Sequence, residues 1–233
     1  MNKYLAILLL TVSILSLSTP AYADFQAGMD AYLSGNYATA LKEWIPLAEQ
    51  GDSSAQHNLG LMYDNGWGVT QDYKEAVKWY KLAAEQGYSS AQFNLGVRYD
   101  NGQGVTQNYK EAAKWYKLAA EQGVSDAQFN LGLMYKNGQG VTQNYKEAVK
   151  WYKLAAEQGY SSAQYNLGNM YFNGQGVIQD YVRAHMWWNL AASQGYKDAV
   201  NNRDIIAKKM TPEDISKAQD MARECVAKNY KGC

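Results

Sequence analysis

The sequence predicts an all-α solenoid of stacked antiparallel helix pairs, and three observations lead there. One 36-residue unit is written four times without a gap between residues 53 and 196. Its landmarks keep register: Gly51, Gly87, Gly123, Gly159 and Gly195 close successive units, and Trp79, Trp115, Trp151 and Trp187 recur at the same interval. Inside each unit two stretches carry apolar residues at helical spacing, separated by a glycine-rich turn. A period of about twenty to fifty residues marks a chain whose units bury their apolar faces only by stacking on neighbours. Such a body is elongated and biased toward binding, but the repeat does not identify the ligand.

Residues 1–23 read as a secretory signal peptide. Lys3 supplies a short basic start, an apolar stretch runs from Leu5 to Leu17, and Ala21-Tyr22-Ala23 is a small-residue cleavage pattern before Asp24. The apolar run is too short for a membrane span. The expected mature chain begins at Asp24 and is periplasmic or secreted, with no stable membrane insertion after cleavage. Residues 24–52 then form an imperfect helix pair. Gly28 to Tyr37 is nine residues where Gly60 to Tyr73 is thirteen, and Pro46 is expected to kink or shorten the second helix.

In the first complete unit, Ser53 to Asp64 carries Ala55, Leu59, Met62 and Tyr63 on one face, with Gly60 where another helix can come close. Asn65-Gly66-Trp67-Gly68-Val69 ends that helix, and Asp72, or Asn108 and Asn144 in later copies, is placed to cap the next one. The second helix runs from Tyr73 to about Glu85 with Ala76, Trp79, Tyr80, Ala83 and Ala84 on its apolar side, and Gly87 stops it. The four units cover residues 53–196. Residues 197–233 form capping helices: Thr211-Pro212-Glu213-Asp214 starts one, and Ile215, Ala218, Ala222, Cys225 and Val226 make a stripe able to cover the last unit. Cys225 and Cys233, an even count at short spacing in an exported chain, suggest one disulfide.

The run AQHNLGLMY from Ala55 to Tyr63, then NGWGV from Asn65 to Val69, then AVKWYKLAAEQG from Ala76 to Gly87, closely resembles the Sel-one-like repeat family. That family is a branch of the tetratricopeptide superfamily. The resemblance covers all four units and implies a right-handed superhelix whose first helices line a concave groove that binds a protein or peptide. It also makes residues 24–52 a tetratricopeptide-length pair lacking the four-residue glycine turn.

Mapped onto that pattern, the groove columns fall at spacing i, i+4, i+7, one helical face. They are His57, Leu61 and Asp64; Phe93, Val97 and Asp100; Phe129, Leu133 and Lys136; and Tyr165, Asn169 and Phe172. These positions vary between copies while the framework does not, and their mixture of aromatic, aliphatic and a few charged residues suits a protein contact surface. The alternative for the aromatic column is that it fills the gap between neighbouring first helices. Trp79, Trp115 and Trp151 read as core, and Glu75, Lys78, Lys81 and Glu85 as a solvated outer face. Trp67, whose equivalents are Gln103, Gln139 and Gln175, is either a contact residue or packed on the terminal pair. Val182, Arg183, His185, Met186, Trp188 and Asn189 depart from the other copies, which packing against the cap explains.

Without Lys3 the chain holds 21 basic against 22 acidic residues, a net charge near −1 and no basic stripe, so nucleic-acid binding is not expected. His57 and His185 stand on different units, so no metal site, cofactor or catalytic residue is expected. The Gly-x-Gly-Val turns join helices rather than following a strand, which sets them apart from dinucleotide fingerprints. Some exported, cysteine-rich relatives of the resembled family act on β-lactams. They carry a disulfide within each repeat, which this chain lacks, so a cell-wall or β-lactam-acting enzyme is only the alternative reading.

Overall fold

The computed structural model describes residues 23–233, and apart from Ala23 the segment expected to be a signal peptide lies outside the described residues. Twelve helices and no strand occur among the described residues. They are α1 (Phe25–Leu33), α2 (Tyr37–Glu49), α3 (Ser53–Asn65), α4 (Tyr73–Glu85), α5 (Ser89–Asn101), α6 (Tyr109–Glu121), α7 (Ser125–Asn137), α8 (Tyr145–Ala156), α9 (Ser161–Asn173), α10 (Tyr181–Ser193), α11 (Lys197–Ala207) and α12 (Pro212–Ala227). From α1 to α11 consecutive helices pack on one another, first as pairs and then pair on pair, which is the solenoid.

Local chemistry sets the helix ends. Asp72, Asn108 and Asn144 accept bonds from the two backbone N–H groups that open α4, α6 and α8. Gly66, Gly102, Gly138 and Gly174 close the first helices in the left-handed conformation. Asp52 caps α3, but the equivalent positions before α5, α7 and α9 are Tyr88, Val124 and Tyr160, which make no side-chain cap. Those three units forgo a cap bond and gain a packing residue.

Within a unit, the two helices meet at a glycine. A Cβ on Gly60, Gly96 or Gly132 would lie 2.5–2.6 Å from the ring of Tyr80, Tyr116 or Tyr152, so only glycine admits the ring. Between units the tryptophan is the key. Trp115 completes the core formed by Ala76, Tyr80 and Ala84 of the preceding pair with Leu95 of its own, and Trp151 completes the next. Lys78, Lys114 and Lys150 lie 5.1–5.4 Å above the rings of Trp79, Trp115 and Trp151, which shields them from the outer face. The outer face itself carries the expected Glu–Lys helical pairs.

A buried glutamine ties three helices at each of the four junctions from α2–α3 to α8–α9. Gln56, Gln92, Gln128 and Gln164 donate to the carbonyls of Ala48, Ala84, Ala120 and Ala156 on the preceding second helix. Each accepts from Gln86, Gln122, Gln158 or Gln194 at the end of its own second helix. A second clasp is backbone on backbone: Gly104, Gly140 and Gly176 sit against the carbonyl groups of Tyr73, Tyr109 and Tyr145, where no Cβ fits.

Two expectations need correction. Pro46 does not shorten its helix, because α2 spans 13 residues as α4 does; the one bond it forfeits would go to the carbonyl of exposed Lys42. Val226 is not on the covering stripe, being 48% exposed. α12 crosses to α10 and buries Ala218, Ala222 and Cys225 against Met186, Trp187 and Leu190. This accounts for Met186, which stands where the earlier copies carry Lys78, Lys114 and Lys150: an ammonium beneath a docked helix would lose its hydration. Trp67 packs on the terminal pair, edge-on to Tyr32 and stacked on Tyr37.

The tail folds back. Asn229, Tyr230 and Gly232 take left-handed backbone conformations, Cys225 and Cys233 are bonded with Cα atoms 5.5 Å apart, and the Tyr230 ring comes to rest at Gly159. So short a closed loop contributes about 2–2.5 kcal/mol by loop entropy, and its effect is local to the cap. Intact mass of unreduced native protein should be two protons lighter than after reduction; two free thiols would remove the bond.

Candidate functional site

The face carried by α3, α5, α7 and α9 brings the twelve candidate residues into three columns, and the columns differ in character. The aromatic column reaches across to the neighbouring unit. The His57 ring is 5.0 Å from Tyr88, Phe129 is 5.2 Å from Tyr160, and Tyr165 is 4.8 Å from Tyr196. Phe93 packs on the same cluster as Val124. These partners are the residues at the uncapped helix starts, so the missing cap bonds and the aromatic column are one arrangement. Phe93, Phe129 and Tyr165 remain half-buried, with part of each ring in solvent. His57 is only 8% exposed and belongs to the packing between α3 and α5, where its Nε2 meets Asn94 Nδ2 at 3.2 Å.

Leu61, Val97, Leu133 and Asn169 form a half-buried column along the solenoid. Asn169 interrupts it for a reason visible in its contacts: Oδ1 accepts from Trp188 Nε1 at 3.2 Å and from Asn202 Nδ2 at 3.3 Å. Trp188 replaces the tyrosine of earlier units, and its indole N–H needs an acceptor there.

The third column is electrostatic and uneven. Asp64 accepts from Arg98 at 2.8 Å and from the Tyr80 hydroxyl at 3.2 Å; the two charged side chains are 13% and 14% exposed. Asp100 accepts from Tyr116 at 3.2 Å. Lys136 turns instead to Asn166, and the Tyr152 hydroxyl in that unit is buried with no partner among the described residues. Phe172 stacks on Tyr181 and tilts on Trp188, both at 5.6 Å. Burial raises the Asp64 carboxyl, against the downward pull of Arg98 and Tyr80, and raises Asp100 likewise. Arg98 was not among the expected site residues. The available signal was its place in a column that otherwise reads Met62, Met134 and Met170.

Burial lowers the His57 imidazole to about 4, with the adjacent Asn58 side chain acting the other way, and burial lowers His185 too. The native state therefore binds fewer protons than the unfolded chain between about pH 6.5 and 4, so stability falls as pH drops through that window. For His57 alone the loss is at most about 3 kcal/mol. His57→Phe, the residue of the neighbouring units, should remove that share of the pH dependence, leaving the His185 share; denaturant melts at pH 7 and 4.5 measure it. An unchanged difference between the two pH values would mean His57 does not titrate this way.

Among the described residues no group of three or more His, Cys, Asp and Glu side chains is arranged to hold a metal ion. No described helix is long and apolar enough to cross a membrane. The face offers half-exposed apolar surface with three charged side chains, of which Asp64 is paired with Arg98 while Asp100 and Lys136 bond neutral partners.

Comparison with known proteins gives a consistent set. The Sel1 repeat family model matches residues 53–88, 89–124, 125–160 and 161–196. A solved Sel1 repeat protein from Oxalobacter formigenes is 34% identical; the match covers 87% of this chain and 75% of that one, with a TM-score of 0.71. The protective antigen c5321 of uropathogenic Escherichia coli, which displays an SLR fold, is 31% identical with a TM-score of 0.57. That match covers 86% of this chain and 52% of the antigen, so the chain spans about half the antigen's length. No curated protein matches the chain.

Proposed function

Because the chain belongs to the Sel1 repeat family, whose fold generally mediates protein–protein interaction, we propose that it is an exported scaffold holding a protein or peptide in the groove of its first helices. The observation that carries this reading is the half-exposed stripe of Leu61, Val97 and Leu133 beside Phe93, Phe129 and Tyr165. These side chains change from unit to unit while the glycines, tryptophans and glutamines that hold the units together do not. A framework held constant beneath a varied apolar face suits selection for a partner rather than for the fold. Export is supported by the apolar run and Ala-Tyr-Ala pattern of residues 1–23, and by the paired cysteines of the tail.

The test is affinity capture from an envelope extract with the wild type and with Phe93→Ala/Phe129→Ala/Tyr165→Ala. A stoichiometric partner should bind the first and bind the second at least about 30-fold more weakly, the equivalent of about 2 kcal/mol or more for truncated central anchors. Equal binding by a variant of unchanged helicity would place the contact surface elsewhere.

A further inference from the structure

At two positions the junction between α9 and α11 carries shorter side chains than the junctions before it. At the position occupied by Arg98, Met134 and Met170, α11 carries Ile206, which is branched and shorter. At the position of Leu61, Val97 and Leu133, α9 carries Asn169. Arg98 fills its junction through the bond to Asp64, and Met134 and Met170 are buried in theirs. Phe172 meanwhile stands where Asp64, Asp100 and Lys136 do, and is drawn onto Tyr181. What remains at this junction is a cavity of about 220 Å³, lined by Phe172, Trp188, Ile205, Ile206, Asn169 and Asn202 among others. It opens on the face already described and continues its aliphatic column, since Ile205 follows Asn169 in register and is 56% exposed.

The polar groups of the cavity are fixed by their neighbours. Trp188 Nε1 donates to the Tyr165 carbonyl and to Asn169 Oδ1. Asn202 Nδ2 donates to Asn169 Oδ1 and to the Tyr165 hydroxyl. Both amides are thereby oriented, and the Asn169 N–H groups and the Asn202 carbonyl have no partner among the described residues. One free donor and one free acceptor are what a backbone amide requires. The lining residues carry no charge, so a charged side chain would be desolvated there without a counter-ion. The volume suffices for one large apolar side chain, since a dry cavity of about 150 Å³ holds a benzene ring.

We propose that this cavity is an anchor subsite for one leucine-, methionine- or phenylalanine-sized side chain of an extended peptide segment, whose backbone amide bonds Asn169 Nδ2 and Asn202 Oδ1. The inference rests on the groove reading above and names the chemistry its C-terminal end selects. The probes are blocked tripeptides, acetyl-Gly-X-Gly-amide with X as Leu, Phe, Lys or Glu, titrated into the full ¹⁵N-labelled mature chain. Side-chain amide resonances of Asn169 and Asn202 should shift saturably with Leu and Phe, and about tenfold more weakly or not at all with Lys and Glu. Ile205→Asp should abolish the saturable shift. Ile205 is exposed, so unchanged resonances of α3 to α8 will show that this variant is folded. Absence of a saturable shift, an equal response to the charged peptides, or an undiminished response of Ile205→Asp would overturn the subsite. Saturable shifts confined to Val97 and Leu133 would overturn it too, while leaving the groove reading intact.

Discussion

Replacing Trp115 by alanine should lower the stability of the chain by about 3–5 kcal/mol and broaden or split its thermal transition. Trp115 is 7% exposed and sits on α6, and the core it completes is shared between α4 of the preceding unit and α5 of its own. The truncation therefore opens a cavity at the seam between units rather than within one. In a linear repeat array, stability divides into unit terms and neighbour terms, and weakening one neighbour term uncouples the two sides. Circular dichroism melts and urea titration of the purified variant measure both effects. A single sharp transition within about 1 kcal/mol of the parent would show that Trp115 does not join the units.

Gly140→Ala should destabilise by about 3 kcal/mol or more, and Gly138→Ala, two residues away in the same turn, by only about 1–2 kcal/mol. Both glycines have positive φ, +70° at Gly138 and +68° at Gly140, so both variants pay the left-handed penalty of a side chain. They differ in what the new Cβ meets. At Gly138 the nearest atom is Gln143 Cβ at 3.3 Å, which can give way. At Gly140 it is the carbonyl group of Tyr109 in the preceding unit, part of a helix backbone that cannot. The difference between the two urea midpoints isolates the clasp between units. Equal losses would mean the turn is strained but does not hold the neighbour.

Much of this architecture is legible in the residues because the forces that shape it are local and repeated. Gly60 and Tyr80 stand twenty residues apart, as do their counterparts in the later copies with Trp188 as the ring in the last, and the packing of one on the other follows from helix geometry within a single hairpin. The tryptophans, caps and closing glycines are legible for the same reason. Placement across units is harder to read. Gln56 and Gln86 are visible as constant residues, but the carbonyl Gln56 donates to lies in the neighbouring pair, and helical spacing does not say which carbonyl a buried amide will find. His57 shows the same limit at the candidate site. The i, i+4, i+7 rule puts it on the correct helical face, but not on which side of that face the next first helix lies, and that helix covers it. Arg98 reads as an exposed charge in one sequence window and becomes half of an ion pair only because Asp64 stands 34 residues earlier. The course of α12 is the least legible element: its stripe announces a covering helix, while the choice of α10 over α11 is recorded only in the Met186 and Asn189 replacements of the covered surface.

The glutamine relay has an evolutionary consequence. Every unit presents the same plug, a buried glutamine with its glycine turn, and the same socket, an alanine carbonyl with the start of a second helix. A duplication or excision that respects the 36-residue frame therefore rejoins matched ends, and one of any other length leaves an amide and a carbonyl facing nothing. The array can lengthen or shorten by recombination without redesigning a junction, so its reach is free to drift while its joints stay the same. Loss of residues 89–124 is the informative case. It would splice Gly87-Tyr88 to Ser125 with every framework bond remade, and would remove Arg98 alone of the inter-unit ion pair, leaving Asp64 without its counter-charge.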